Sequence, residues 1–114
     1  MELRQRTSGN VHIIDISGDL DLYNSHELKT KVNELAASQI GGLILNFEEV
    51  EYIDSSGVGV LIYSNSLLKS NQTPFRIIQL HGSVRRVIEL AKLIGFLPIT
   101  DNEEAALKEM QGIP

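Results

Sequence analysis

The sequence predicts a single α/β domain: a mostly parallel, mixed β-sheet with an N-terminal hairpin and about four helices packed against it. Three observations predict this. Segments rich in β-branched and apolar residues, "NVHIIDISG", "GGLILNF" and "FRIIQL", are separated by segments whose apolar residues recur at helical spacing. Strands alternating with helices imply parallel pairing, with the helices laid on the sheet. The 114 residues suffice for one core and leave no room for a second, so the expected domain is 1–114.

Each element follows from its own period. The strand "LRQRT" turns at Ser8, Gly9 and Asn10 into an alternating strand over 11–17, and the two form a hairpin. In "NSHELKTKVNELAAS", Leu28, Val32, Leu35 and Ala36 share one helical face, and Asn24 followed by Glu27 predicts a capping-box variant at the start. "GGLILNF" is a continuous apolar run suited to a strand covered on both faces, which predicts the sheet's centre. A second helix carries Val58, Leu61, Ile62 and Leu68 on one face, runs to about residue 70 and stops at "NQTP" before "FRIIQL". "GSVRRVIELAKLI" reads as a third helix with Ser83 as N-cap, Val84, Val87, Ile88 and Ala91 inward, and Gly95 as its stop. A short strand over 97–100 follows. Asp101 then opens a polar helix, "NEEAALKEM", with acids in its first turn and a lysine later, as the helix dipole favours.

Composition excludes several classes of function. The formal charge of −5, with Arg85 and Arg86 the only adjacent basic pair, argues against a nucleic-acid partner. No stretch approaches the ~20 apolar residues that cross a membrane, and "MELRQRTSGN" has no apolar core of a secretory signal. Cysteine is absent, which removes disulfides and thiolate chemistry and fits a cytoplasmic setting.

The segment "YIDSSGVGVL" departs from the regular pattern. It places Asp54, Ser55, Ser56, Gly57, Val58 and Gly59 at a helix start beyond the C-terminal end of a central strand, where open α/β sheets carry their sites. Two glycines in the first helical turns cost ~1 kcal/mol each relative to alanine. Either Asp54 or Ser55 caps the helix and the glycines let it pack closely, or the small residues leave the surface open to another molecule; the two are compatible. The motif is neither a nucleophile elbow nor a Walker loop. His12, His26 and His81 stand apart in strand, helix and loop, so no general base is offered and the reading is non-enzymatic. Asp15, Asp19 and Asp21 lack a glycine-turned calcium loop, so neither metal nor cofactor is expected.

These residues resemble the STAS-domain anti-sigma factor antagonists of bacteria. "GDLDLYNSHELKTKV" is similar to that family's G-x-L-D turn and first helix, "LILNFEEVEYIDSSGVGVL" to its central strand and D-S-S-G motif, and "VRRVIEL" with "DNEEAAL" to its closing helices. The resemblance implies a phosphorylation switch with Ser56, the second serine of the motif, as acceptor. Its partners would be an anti-sigma factor that is also a serine kinase, and a serine phosphatase that reverses the modification. Asp19, Asp21 and residues 54–59 would form the docking surface, and a phosphate would be received by the free amides and dipole of the helix mouth. Asp21 is read either as part of that surface or as a turn residue bonding its own backbone. The alternative within the family is a docking subunit of another assembly, such as a stress-signalling or lipid-transport complex. One departure is the third helix, where the family's threonine or serine, glycine and leucine are replaced by Ala91, Lys92 and Leu93, with glycine delayed to Gly95; this predicts a later helix end.

Overall fold

A computed structural model describes residues 1–111 and contains every predicted element. Strands β1 (Glu2–Ser8) and β2 (Val11–Leu20) form the antiparallel hairpin, with Gly9 in the left-handed conformation at the turn (φ 61°). Helix α1 (Ser25–Ala37), strand β3 (Gly42–Ile53), helix α2 (Ser55–Ser70), strand β4 (Phe75–Ile78), helix α3 (Gly82–Leu90), strand β5 (Ile99–Thr100) and helix α4 (Glu103–Gln111) follow. The sheet order is β1-β2-β3-β4-β5, with every pair after the hairpin parallel, so β3 is the centre as predicted.

Pleating divides the core in two. Ile14 and Ile16 of β2, Leu43, Leu45 and Phe47 of β3 and Phe75 and Ile77 of β4 face α1, α2 and α3, which cover them with Leu28, Val32, Leu61, Leu68, Val84 and Ile88. On the other face Val11, Ile13, Ile44 and Ile78 are covered by α4 through Ala106 and Met110.

Six local expectations are corrected, two of them in α3. Both strands leading to the site run further than their apolar cores: Gly18 (φ 92°) absorbs a register shift, pairing resumes, and Leu20 lies opposite Ile53. "GDL" is therefore strand rather than turn. At α1 the capping box does not form, because Asn24 turns to the preceding loop; its Oδ1 accepts from the Asp21 amide at 2.9 Å and its Nδ2 donates to the Asp19 carbonyl at 2.6 Å. The buried face of α2 is Gly57, Val60, Leu61, Ser64 and Leu68, while Val58 is half-buried and Ile62 exposed. The helix seats small residues against the sheet, and the Ser64 hydroxyl is satisfied by donating to the Val60 carbonyl. Helix α4 opens one residue later than expected, at Asn102 rather than Asp101: Asn102 Oδ1 accepts from the Ala105 amide at 2.8 Å.

Helix α3 departs at both ends. Ser83 is not its cap; the Ser83 hydroxyl donates to the Glu51 carbonyl at 3.0 Å, fastening the helix start to β3. The helix stops at Leu90, leaving Ala91 exposed, because Lys92 itself adopts the left-handed conformation (φ 60°). The Lys92 amide bonds the Glu89 carbonyl and the Leu93 amide bonds the Ile88 carbonyl, which is the Schellman closure usually made with glycine. The delayed glycine therefore does not delay the stop. Lys92→Gly should raise stability by about 0.5–1 kcal/mol, since a side chain in this conformation costs ~1–2 kcal/mol, partly offset by the greater freedom of glycine in the unfolded chain. A thermal melt checks it, and an unchanged or lower midpoint counts against it.

An ion-paired bracket joins the hairpin to α4. The Arg6 guanidinium donates to both Asp15 carboxylate oxygens, at 2.6 and 2.8 Å, and to Glu103 at 2.6 Å, and Asn46 donates to Asp15 at 2.9 Å. Arg6 holds the Asp15 carboxyl down to about 2, from an ordinary 3.8, and the Arg6 pKa is raised in turn. The folded state binds this proton more weakly than the unfolded chain, so the stabilisation is complete above about pH 4 and fades as pH falls toward 2. With Arg6 partly exposed, about 1 kcal/mol should be lost across that window. Urea melts at pH 4 and pH 2 should show this step in the native chain and a smaller one in Asp15→Asn.

Candidate functional site at the mouth of α2

Strand pairing as far as Leu20 and Ile53 brings the β2–α1 loop against the start of α2. Asp54, in extended backbone, is the N-cap: its Oδ1 accepts from the amides of Ser56 (2.9 Å) and Gly57 (3.2 Å). Its other oxygen, Oδ2, accepts from the Leu22 amide at 3.0 Å, and its own amide donates to the Leu20 carbonyl at 3.3 Å. One carboxylate thus caps the helix and fastens the loop to it. The cap is Asp54 and not Ser55, whose side chain is exposed. The expectation that free helix amides receive an anion is also altered, because two first-turn amides are already bound by Asp54.

The two glycines have different reasons to be there. A Cβ on Gly57 would lie 2.7 Å from both the Leu20 carbonyl oxygen and Ile53 Cγ1, so backbone approach forbids a side chain. A Cβ on Gly59 would meet nothing within 4 Å. Among the described residues no packing requires Gly59; it leaves open the surface beside Ser56.

Ser56 is half-buried and lines a cleft between α1 and α2 with Ser25, His26, Lys29, Gly59, Val60 and Tyr63. Tyr63 donates to Asn33 Oδ1 at 2.6 Å, tying the helices together, and the Lys29 ammonium lies 4.4 Å from the centre of the Tyr63 ring. On the other side of the mouth is the loop. Asp21 Oδ1 accepts from the amides of Tyr23 (2.9 Å) and Asn24 (3.2 Å), the bonding expected of a turn aspartate, and Asp19 is exposed. Directly after Asp21 the loop presents two apolar side chains to solvent, Leu22 (68% exposed) and Tyr23 (91%), with Tyr52 (50%) at the end of β3. The sequence reading missed these three. The available signal was an apolar pair, Leu22-Tyr23, in a turn otherwise made of aspartate and asparagine, where turn chemistry calls for polar residues.

The histidines do not converge. His12 Nδ1 is 2.9 Å from Gln5 Nε2 and His81 Nε2 donates to the Glu48 carbonyl at 2.7 Å, while His26 alone lines the cleft. Among the described residues there is no group of three or more metal-ligating side chains, and no helix is long and apolar enough to cross a membrane.

Residues 2–106 match the profile of the STAS domain. The chain is similar to the anti-sigma F factor antagonist of Paenibacillus polymyxa, 25% identical over 112 residues that cover 97% of this chain and 96% of that one. Its fold is similar to that of the anti-sigma factor antagonist SpoIIAA in its unphosphorylated form, with a TM-score of 0.83 at 22% identity over 99% of each chain. It is likewise similar to the Bacillus cell fate determinant SpoIIAA in the phosphorylated form, with a TM-score of 0.74 at 21% identity over 95% of this chain and 98% of that one.

Proposed function

The chain belongs to the STAS domain family, and from that membership and the geometry of the α2 mouth we propose that it is an anti-sigma factor antagonist, a protein-binding switch without catalysis of its own. Unphosphorylated, it binds an anti-sigma factor serine kinase in the cytoplasm and so frees the sigma factor. Phosphorylation at Ser56 releases the kinase, and a serine phosphatase restores binding. ATP and magnesium belong to the kinase, and this chain needs no cofactor.

The observation that carries the reading is the setting of Ser56: a half-buried serine in the first turn of α2, with an unfilled Gly59 position in the same cleft, at a helix mouth whose cap Asp54 holds the loop that carries exposed Leu22 and Tyr23. Exposed aromatic and aliphatic side chains beside a serine supply docking area that a phosphate can disrupt by charge and desolvation. Asp54 and the turn-bonded Asp21 contribute by holding Leu22 and Tyr23 in place, and Asp19, Ser55 and Val58 complete the rim; Gly57, expected on this surface, is buried against Leu20 and Ile53 and serves the packing of the helix start instead. The relatives named as antagonists, and SpoIIAA known in both phosphorylated and unphosphorylated forms, support the same reading.

The test is labelling with the cognate kinase and ATP, followed by mass spectrometry. One phosphate should appear, on Ser56 and not Ser55, and Ser56→Ala should take up none. Labelling that persists in Ser56→Ala overturns the acceptor assignment, and a kinase that does not bind the unmodified chain overturns the antagonist reading.

A further inference from the structure

We infer that Lys29 is a built-in counter-ion for the modified site: on phosphorylation of Ser56 its ammonium leaves the Tyr63 ring and pairs with the phosphate inside the α1–α2 cleft. This inference rests on the proposed modification of Ser56. Two independent observations lead to it. The first is that the usual receptor of an anion at a helix start is taken, since the amides of Ser56 and Gly57 already donate to Asp54. A phosphate on Ser56 therefore meets a like charge at the cap and must find its cation elsewhere.

The second is that a cation waits on the opposite wall. Ser56 and Lys29 line the same cleft, and among the described residues Lys29 forms no salt bridge, whereas its neighbour Lys31 is paired with Glu34 at 3.2 Å. The Lys29 ammonium rests instead on the face of Tyr63, a weak attraction of a kind readily exchanged for a doubly charged anion. Gly59, with no side chain between the walls, leaves the path clear. The charged and titratable groups around the phosphate are His26 and Lys29 from α1, Tyr63 from α2 and Asp54 at its cap, Asp19 at the end of β2 and Asp21 from the loop that follows. The basic groups stand on the cleft side and the acids on the loop side, so the phosphate is drawn into the cleft and away from the loop.

The experiment uses the full chain with phosphoserine installed at position 56 during synthesis, so that no kinase is needed. The phosphate's second pKa, ordinarily ~6, is followed by phosphorus NMR. In the otherwise native chain it should lie lower than in Lys29→Met by about 0.2–0.7 units, the size expected for an exposed ion pair. Lys29→Arg should retain the native value, and 0.5 M salt should erase most of the difference. In proton NMR, the ε-methylene of Lys29 should carry an upfield ring shift in the unmodified chain and lose it in the phosphorylated one. Equal phosphate pKa values in the native and Lys29→Met chains, or an ε-methylene shift indifferent to phosphorylation, overturns the inference. A Lys29-dependent pKa in a phosphoprotein that still binds the kinase as tightly as the unmodified chain sinks the switch and leaves the counter-ion standing.

Discussion

Replacing Gly57 by alanine should destabilise the fold by about 2–3 kcal/mol net, and replacing Gly59 by alanine should stabilise it by about 0.5–1 kcal/mol, although both glycines sit in the first turns of the same helix. The asymmetry follows from what a methyl group would meet. At Gly57 it lands 2.7 Å from the Leu20 carbonyl oxygen, a backbone atom that cannot rotate away and that accepts the Asp54 amide. Relief requires moving α2 away from the end of β2, which breaks that bond and strains the carboxylate clasp on Leu22. Overpacking of this kind outweighs the ~1 kcal/mol of helix propensity that alanine adds. At Gly59 nothing opposes the methyl, so only the propensity gain remains. Thermal melts should separate the two by more than about 10 °C in midpoint for a domain of this size. If both variants melt alike, close approach at Gly57 is not what fixes the helix start. Kinase binding should fall in the stabilised Gly59→Ala chain, because the methyl would stand on the proposed docking surface.

Ser56→Asp should weaken kinase binding at least ~30-fold, about 2 kcal/mol, while altering stability by less than about 1 kcal/mol. A carboxylate in the first turn gains from the helix dipole and loses from the neighbouring Asp54, and these nearly cancel. The buried face of α2 is untouched, since Gly57, Val60 and Leu61 rather than Ser56 contact the core. Binding suffers because a desolvated charge would be left against the partner's surface. Titration calorimetry beside a thermal melt measures both quantities. Loss of the folded state together with binding would show that position 56 is structural, and native affinity would remove it from the interface.

The order and type of elements were legible because β-branched runs and helical spacing report burial directly. "GGLILNF" announces a strand covered on both faces, and Leu28, Val32 and Leu35 announce a helix. What escaped was decided by groups that apolar spacing does not weigh. Gly57 and Ser64 belong to the buried face of α2, so a scan for large apolar residues selected Val58 and Ile62 instead. Asn24 has the right identity and spacing for a cap, but its side chain found partners in the Asp19–Asp21 turn, a competition that only the fold resolves. Lys92 ends α3 in a conformation that its residue type disfavours, so tertiary packing of Leu93 prevailed over local preference. At the site, the motif located the helix mouth and its serine. The Asp54 bond to Leu22, the exposed Leu22-Tyr23 pair and the cation across the cleft depend on which loop comes to lie against that mouth.

The sequential strand order has a consequence for synthesis on the ribosome. Each new strand joins the edge left by the one before it, so the sheet can be laid down in the order in which the nascent chain emerges. Every group discussed at the site lies between Gly18 and Tyr63, within β2, α1, β3, α2 and their connections. The candidate site is therefore encoded in one uninterrupted stretch, all of which leaves the exit tunnel before the last strand and helix follow. A pause just after Tyr63 has emerged would expose every residue of the candidate site before β4 and α3 have supplied Phe75, Ile77, Val84 and Ile88 to the core beneath it.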